Sequence, residues 1–109
     1  IEHCAGYGEW LHGEAVAAGM VMAAEFSARL SLLERGDVDR IRELLTRLNL
    51  PVEPPPVKAG DFLSAMTLDK KVIGGEIRLV LLKAIGEAFV TADYAEHELV
   101  QLLSETFVR

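Results

Sequence analysis

The most chemically suggestive part of the sequence is a histidine between a glycine-broken turn and a long run of small residues. This histidine is His12, and the turn ahead of it runs from Gly6 to Leu11. We expect His12 at or just outside a helix N-terminus, where the partial positive charge favours neutral imidazole, the form that binds metals. A catalytic zinc site takes about three protein ligands, so the remaining donors must come from elsewhere.

Two adjacent lysines form the second candidate group. Lys70 and Lys71 follow Asp69 at the end of a short predicted helix. A lysine is a compact cation that suits a carboxylate or a phosphate, although a charge run at a helix end is commonly just solvated. A lone histidine at a helix start is likewise more often a cap than a metal ligand. The residue types alone therefore leave both the functional and the structural interpretation open.

The other titratable side chains give weaker signals. The spacing of His3 and Cys4 from His12 fits no familiar zinc pattern, and Cys4 is better explained as a small buried side chain. His97 stands between two glutamates in the last predicted helix, where we expect exposure to solvent. Glu14 is predicted first as a favourable charge near the helix start, with a supporting role behind a metal ligand as the weaker alternative.

Length and composition limit the classes of partner. The chain has 109 residues, half of them hydrophobic, and a net charge of −6. A core is therefore possible, whereas nucleic acid and anionic membranes are disfavoured as partners. The single cysteine excludes a disulfide within the chain, which suits a cytoplasmic protein. We expect one domain over residues 1–109 that forms part of a longer protein, because Ile1 to Ala5 look like the tail of a helix entered midway.

Two helices are predicted in the first half of the chain. The first should run from about Gly13 to Glu34 and end at Gly36. Val16, Met20, Ala23 and Leu30 mark its apolar stripe, with the small residues Ala17, Ala24 and Ala28 around it. Ala15, Ala18 and Gly19 should let another backbone come close. The second should begin after the N-cap Asp37, run to about Leu48 and end at Asn49. Its predicted apolar residues are Ile41, Leu44, Leu45 and Leu48, and Arg42 lies on the predicted solvent face.

The second half combines helices with one pair of strands. A third helix should cover about Ala59 to Leu68, and strands should cover Ile77 to Leu82 and Ala88 to Ala92. Asp93 and Glu96 match a capping box for a last helix that buries Leu99, Leu102, Leu103 and Phe107. The predicted fold class is mainly α, a multi-helical domain with one small β-hairpin.

These motifs are specific enough for comparison with a known family. The first resembles the metal-site segment of the 3-dehydroquinate synthases and reads Gly6-Tyr7-Gly8-Glu9-Trp10-Leu11-His12-Gly13-Glu14-Ala15-Val16-Ala17-Ala18-Gly19-Met20. A later family motif is similar, in the right order, to Asp69-Lys70-Lys71, Arg78-Leu79-Val80-Leu81-Leu82 and Ile85-Gly86. The resemblance covers essentially the whole chain and implies the mainly helical C-terminal domain of the enzyme.

The resemblance implies a specific reaction. Members of the family are lyases of the shikimate pathway, which leads to chorismate and the aromatic amino acids. They convert 3-deoxy-D-arabino-heptulosonate 7-phosphate to 3-dehydroquinate and phosphate, using NAD and a divalent metal, zinc or cobalt. The NAD domain of the family lies N-terminal to this segment. The expected partners are therefore that domain, a sugar-phosphate substrate and a second copy in a homodimeric full-length enzyme.

The resemblance also implies roles for individual residues. By position, His12 would be a metal ligand, and one of Lys70 and Lys71 would bind negative groups of the substrate. The family's glutamate ligand and its other histidine ligand lie outside this chain, and only Ile1-Glu2 of the motif that holds the latter is present. We therefore expect the 109 residues to be inactive alone.

Three alternatives stay open at this point. A related sugar-phosphate cyclase would use the same metal and NAD on another substrate. A metal-dependent alcohol dehydrogenase would oxidise an alcohol without releasing phosphate, and the Asp69-Lys70-Lys71 motif argues against it. A non-catalytic helical interaction module would use its apolar helices as a docking surface.

Overall fold

The computed structural model describes residues 11–54, 58–72 and 78–107, with the backbone path alone for 67–72. The described residues form four helices and one antiparallel hairpin, which confirms the predicted mainly α fold. The elements are α1 (His12–Arg29), α2 (Arg35–Arg47), α3 (Ala59–Val72), β1 (Leu79–Ala84), β2 (Glu87–Thr91) and α4 (Glu96–Thr106). In these residues no helix combines the length and apolar character that crossing a membrane requires.

The first helix ends earlier than predicted. Ser31 adopts a left-handed backbone conformation with φ of 63°. Its N–H donates to the Ala28 carbonyl at 3.0 Å, and the Leu32 N–H donates to the Ser27 carbonyl at 2.9 Å. These two bonds form a Schellman motif that ends α1 at Arg29. The prediction of a helix to Glu34 was wrong, because serine is not a usual residue for this conformation.

The second helix begins earlier than predicted and ends where expected. Its N-cap is Glu34, so Gly36 lies within α2 and Asp37 lies in the first turn. The predicted terminator Asn49 is confirmed, because it takes the left-handed conformation with φ of 59°. Its N–H donates to the Thr46 carbonyl and the Leu50 N–H to the Leu45 carbonyl, both at 3.0 Å.

The buried face of α1 differs from the predicted one. Val16 and Met20 are 44% and 50% exposed, so their assignment to the core was wrong. The helix instead buries mostly small residues, together with Val21 and Phe26: Ala15, Ala17, Ala18, Val21, Ala24, Phe26 and Ser27. Because α1 is apolar nearly all round, its sequence period does not select one face, whereas small side chains allow α2 and β1 to approach closely.

The second helix packs on α1 along an edge that differs from the predicted one. Val38 and Leu45 are buried, and Ile41 packs beside them. Leu44 and Leu48 are 58% and 59% exposed, which contradicts their predicted burial.

The hairpin and the last helix enclose the main apolar cluster. In the hairpin, Leu81 pairs with Phe89, and Gly86 takes φ of 90° in the two-residue turn. Leu81 packs against Phe26 of α1 and against four buried residues at the end of the chain, which confirms their prediction: Leu99, Leu102, Leu103 and Phe107. The predicted capping box is wrong, because the N-cap of α4 is Ala95 and the Asp93 N–H instead donates to Thr91 Oγ1 at 2.9 Å.

The third helix is longer than predicted. It continues beyond Leu68 to Val72 and so includes Asp69, Lys70 and Lys71 in its last turns. Phe62 stacks on Phe107 with ring centroids 4.4 Å apart, which joins α3 to the main cluster. The predicted first residue of the hairpin, Ile77, lies outside the described residues.

Candidate metal and substrate site

His12 is the first residue of α1, which confirms its predicted position at a helix start. Its side chain is exposed to solvent. The N-cap before it is Leu11, a residue with an extended backbone that is 73% exposed. The imidazole is therefore held at the rim of the described structure rather than in its core.

Glu14 closes the turn that carries His12. The Leu11 N–H donates to Glu14 Oε1 at 2.9 Å. In the opposite direction, the Leu11 carbonyl accepts from the N–H groups of Glu14 at 3.0 Å and Ala15 at 3.1 Å. Glu14 therefore occupies the first turn, as predicted for a negative charge near the helix start, and also holds the residue immediately before the histidine.

The described residues supply one candidate metal donor at this place. Among residues 11–54, 58–72 and 78–107 there is no group of three or more His, Cys, Asp or Glu side chains that could hold a metal ion. The imidazole of His12 fits a metal chemically, because it supplies a nitrogen donor at a solvent-exposed helix start. His3, Cys4 and Glu9 lie outside the described residues.

The backbone of Lys70 and Lys71 lies in the last turn of α3. Their side chains lie outside the described part of the structure, so their predicted role at the substrate stays a prediction. His97, by contrast, is confirmed as a surface residue, with its side chain 79% exposed beside Glu98.

An apolar groove begins on the same helix that carries His12. It has a volume of about 610 Å³ and runs between α1 and the hairpin. Val16, Met20 and Val80 line it and are about half exposed, at 44%, 50% and 55%. Val16 follows His12 by four residues, so both lie on one helix face. The groove therefore starts about one helical turn after the candidate metal ligand.

A charged junction fixes α1 against α2. The guanidinium of Arg35 pairs with both carboxylate oxygens of Glu25, with Nη2 to Oε1 at 2.7 Å. Arg42 Nη2 contacts Glu25 Oε1 at 3.2 Å, and Arg42 Nη1 donates to Glu53 Oε1 at 2.8 Å. Hydrogen bonding to Arg35 lowers the pKa of Glu25 despite its partial burial. The prediction that Arg42 is a solvent-face residue was incomplete, because nothing in the sequence period pairs it with Glu25.

A buried hydroxyl joins α1 to the hairpin. Ser27 has no exposed surface, and its Oγ donates to the Ala23 carbonyl at 2.7 Å. The same oxygen accepts from the Leu82 N–H at 2.9 Å. This link was not predicted, because a serine in an alanine-rich helix gives no sign of its partner in a distant strand.

Comparisons with known proteins place these features in a family. The family model described as 3-dehydroquinate synthase C-terminal matches residues 1–72. The 3-dehydroquinate synthase of Azotobacter vinelandii is 54% identical over 100% of this chain, and that of Acinetobacter baylyi is 52% identical over 86% of it. The chain spans only 30% and 26% of the lengths of these two proteins.

A solved structure agrees with the sequence relatives. ValA, a 2-epi-5-epi-valiolone synthase from Streptomyces hygroscopicus subsp. jinggangensis, superposes with a TM-score of 0.80 at 26% identity. The match covers 94% of this chain and 28% of ValA, whose structure has NAD⁺ and Zn²⁺ bound. The family match over residues 1–72 and the high identity to curated members agree, and the chain belongs to the 3-dehydroquinate synthase family, as part of its C-terminal domain.

Proposed function

We propose that the chain is the C-terminal part of an enzyme that converts 3-deoxy-D-arabino-heptulosonate 7-phosphate to 3-dehydroquinate and phosphate. The observation that carries this proposal is the 54% identity to the Azotobacter vinelandii 3-dehydroquinate synthase along the full 109 residues. Because the chain spans 30% of that protein, the activity belongs to a longer polypeptide and not to these residues alone.

His12 serves as one ligand of the divalent metal in this proposal. Its exposed imidazole at the start of α1 supports the assignment, as does the zinc in the structure of ValA. A bound zinc or cobalt ion supplies Lewis-acid chemistry to an oxygen of the substrate. The contribution of this chain is to present an imidazole nitrogen at the start of a helix, and the other donors come from outside the described residues.

One of Lys70 and Lys71 binds the negative groups of the substrate. Both lie in the last turn of α3, and a lysine ammonium suits a phosphate or a carboxylate as a compact positive charge. The two lysines remain equal candidates for this contact.

The apolar groove faces the rest of the enzyme. Three partly exposed side chains, Val16, Met20 and Val80, line it, and isolated apolar surface of this kind is usually covered in the complete protein. This chain spans 30% of the length of its Azotobacter vinelandii relative. We assign the covering of the groove to other parts of the longer polypeptide, including its NAD domain. We also propose that the full-length enzyme is a homodimer and is located in the cytoplasm.

A second candidate is a related synthase with another substrate. The fold match to ValA, a 2-epi-5-epi-valiolone synthase, supports this alternative. Its 26% identity is about half the identity to the two named 3-dehydroquinate synthases, which is why the dehydroquinate reaction is preferred.

The test is phosphate release by the full-length enzyme with NAD and zinc supplied. We expect release from the heptulosonate phosphate by the unaltered enzyme and a loss of at least about a hundredfold in His12→Ala, because a metal ligand is removed. His97→Ala is the matched control, since this histidine is 79% exposed on α4, and it should leave the rate unchanged. A folded, metal-loaded enzyme that releases no phosphate would favour the related synthase instead.

A further inference from the structure

We propose that Glu14 is a positioning residue for His12, because its carboxylate holds the backbone of Leu11 and so fixes the turn from which the imidazole projects. This inference rests on the proposed role of His12 as a metal ligand. It concerns a contact within the chain and assigns no geometry to the metal.

The N–H of Leu11, the residue immediately before the histidine, donates a hydrogen bond to Glu14 Oε1 at 2.9 Å. Leu11 cannot cap the helix through its own side chain, because leucine has no hydrogen-bond acceptor there, and the residue is 73% exposed. The backbone of Leu11, immediately before His12, is therefore held by the carboxylate of Glu14.

The same position in two other helices serves a different purpose. Asp37 stands three residues after the N-cap of α2 and lies 3.6 Å from Arg40. Glu98 stands at the equivalent place in α4 and lies 3.7 Å from Arg29. In both helices the acid faces a basic side chain, whereas Glu14 reaches back to the backbone beside the candidate ligand.

Two substitutions separate the hydrogen bond from the charge. Glu14→Ala removes both the acceptor and the negative charge near the helix start. Glu14→Gln removes the charge but keeps a side-chain carbonyl oxygen that can accept from the Leu11 N–H. If the hydrogen bond between Leu11 and Glu14 orients the histidine, the glutamine variant retains zinc affinity and the alanine variant loses it. A mere effect of charge on the helix or on the metal would weaken both variants alike.

The measurement is the zinc dissociation constant of the full-length enzyme, obtained by competition with a chelator of known affinity. We expect Glu14→Ala to weaken zinc binding by about tenfold or more, the range seen for residues that orient metal ligands. Glu14→Gln should stay within about threefold of the unaltered enzyme. Asp37→Ala is the control, because it removes a first-turn acid from a helix without a candidate ligand.

The outcomes distinguish this inference from the proposed function. Unchanged zinc affinity in Glu14→Ala, or equal losses in the alanine and glutamine variants, would overturn the positioning role while leaving His12 as a ligand. Full zinc affinity in His12→Ala would overturn both. The melting temperature of each metal-free variant is measured in parallel, and should Glu14→Ala fail to fold, a tenfold loss in Glu14→Gln would still count against the inference.

Discussion

At the scale of single residues, Ser27 shows how one hydroxyl can join distant parts of the chain. Its oxygen donates to the Ala23 carbonyl within α1 and accepts from the Leu82 N–H in β1. It lies where the helix that carries His12 meets the hairpin, in a place closed to solvent. A buried backbone N–H without a partner is costly, so the hydroxyl is needed for more than its volume.

We expect Ser27→Ala to lower the free energy of unfolding by about 1–3 kcal/mol, because the Leu82 N–H would lose its buried acceptor. Thr46→Ala is the matched control, since Thr46 makes the same bond to the carbonyl four residues earlier, but on an exposed surface. The measurement is urea unfolding of both variants. Equal effects of the two substitutions would show that the link to β1 contributes nothing.

At the scale of elements, α1 and α2 are held together by ion pairs as well as by apolar packing. Glu25 of α1 is 22% exposed and meets two arginines of α2, Arg35 and Arg42. Arg42 extends the contact to Glu53 in the connector after α2. The junction thus joins α1, which carries His12, to α2 and to the connector that follows α2.

The junction predicts a dependence of stability on pH. Hydrogen bonding to Arg35 lowers the pKa of Glu25 in the folded state below its ordinary value of 4.5. The unfolded state therefore binds the proton more readily, and the stabilisation is complete above about pH 4.5 and is lost as the pH falls through the lowered pKa. We expect Glu25→Gln to cost about 1 kcal/mol at pH 7, since Arg35 is largely exposed, and much less at pH 3.

Denaturant unfolding at the two pH values measures this difference. Glu43→Gln serves as the control, because Glu43 pairs with Arg47 on an exposed face and should give a small effect at both pH values. A cost for Glu25→Gln that stays constant between pH 7 and pH 3 would contradict the assignment of the stabilisation to the ionised carboxylate.

At the scale of the whole molecule, the groove leaves apolar surface that the described residues do not cover. Exposed apolar patches favour association, so the isolated chain should self-associate as its concentration rises. We expect Met20→Gln to reduce this association, because Met20 is half exposed in the groove. Leu44→Gln is the control, since Leu44 is similarly exposed on α2 and does not line the groove.

Light scattering over a concentration series measures the effect. A chain that stays monomeric at high concentration would argue against an uncovered docking face. An equal reduction by Met20→Gln and Leu44→Gln would show that association is general and not centred on the groove.

The sequence alone determined the features that depend on residues close together in the chain. His12 at a helix start, the left-handed Asn49, the hairpin and the buried face of α4 were all predictable. Each follows from local turn chemistry or from a clear apolar period. The family motif extended this to the expected roles of His12, Lys70 and Lys71, which remain predictions.

Only the tertiary structure decided which surfaces meet. Because α1 is apolar on most sides, its period does not select one inward face, so the exposure of Val16 and Met20 depended on where α2 and β1 pack. The pairing of Glu25 with Arg35 and of Ser27 with Leu82 joins residues 10 and 55 positions apart. Such contacts depend on the packing of whole elements, which no local pattern encodes.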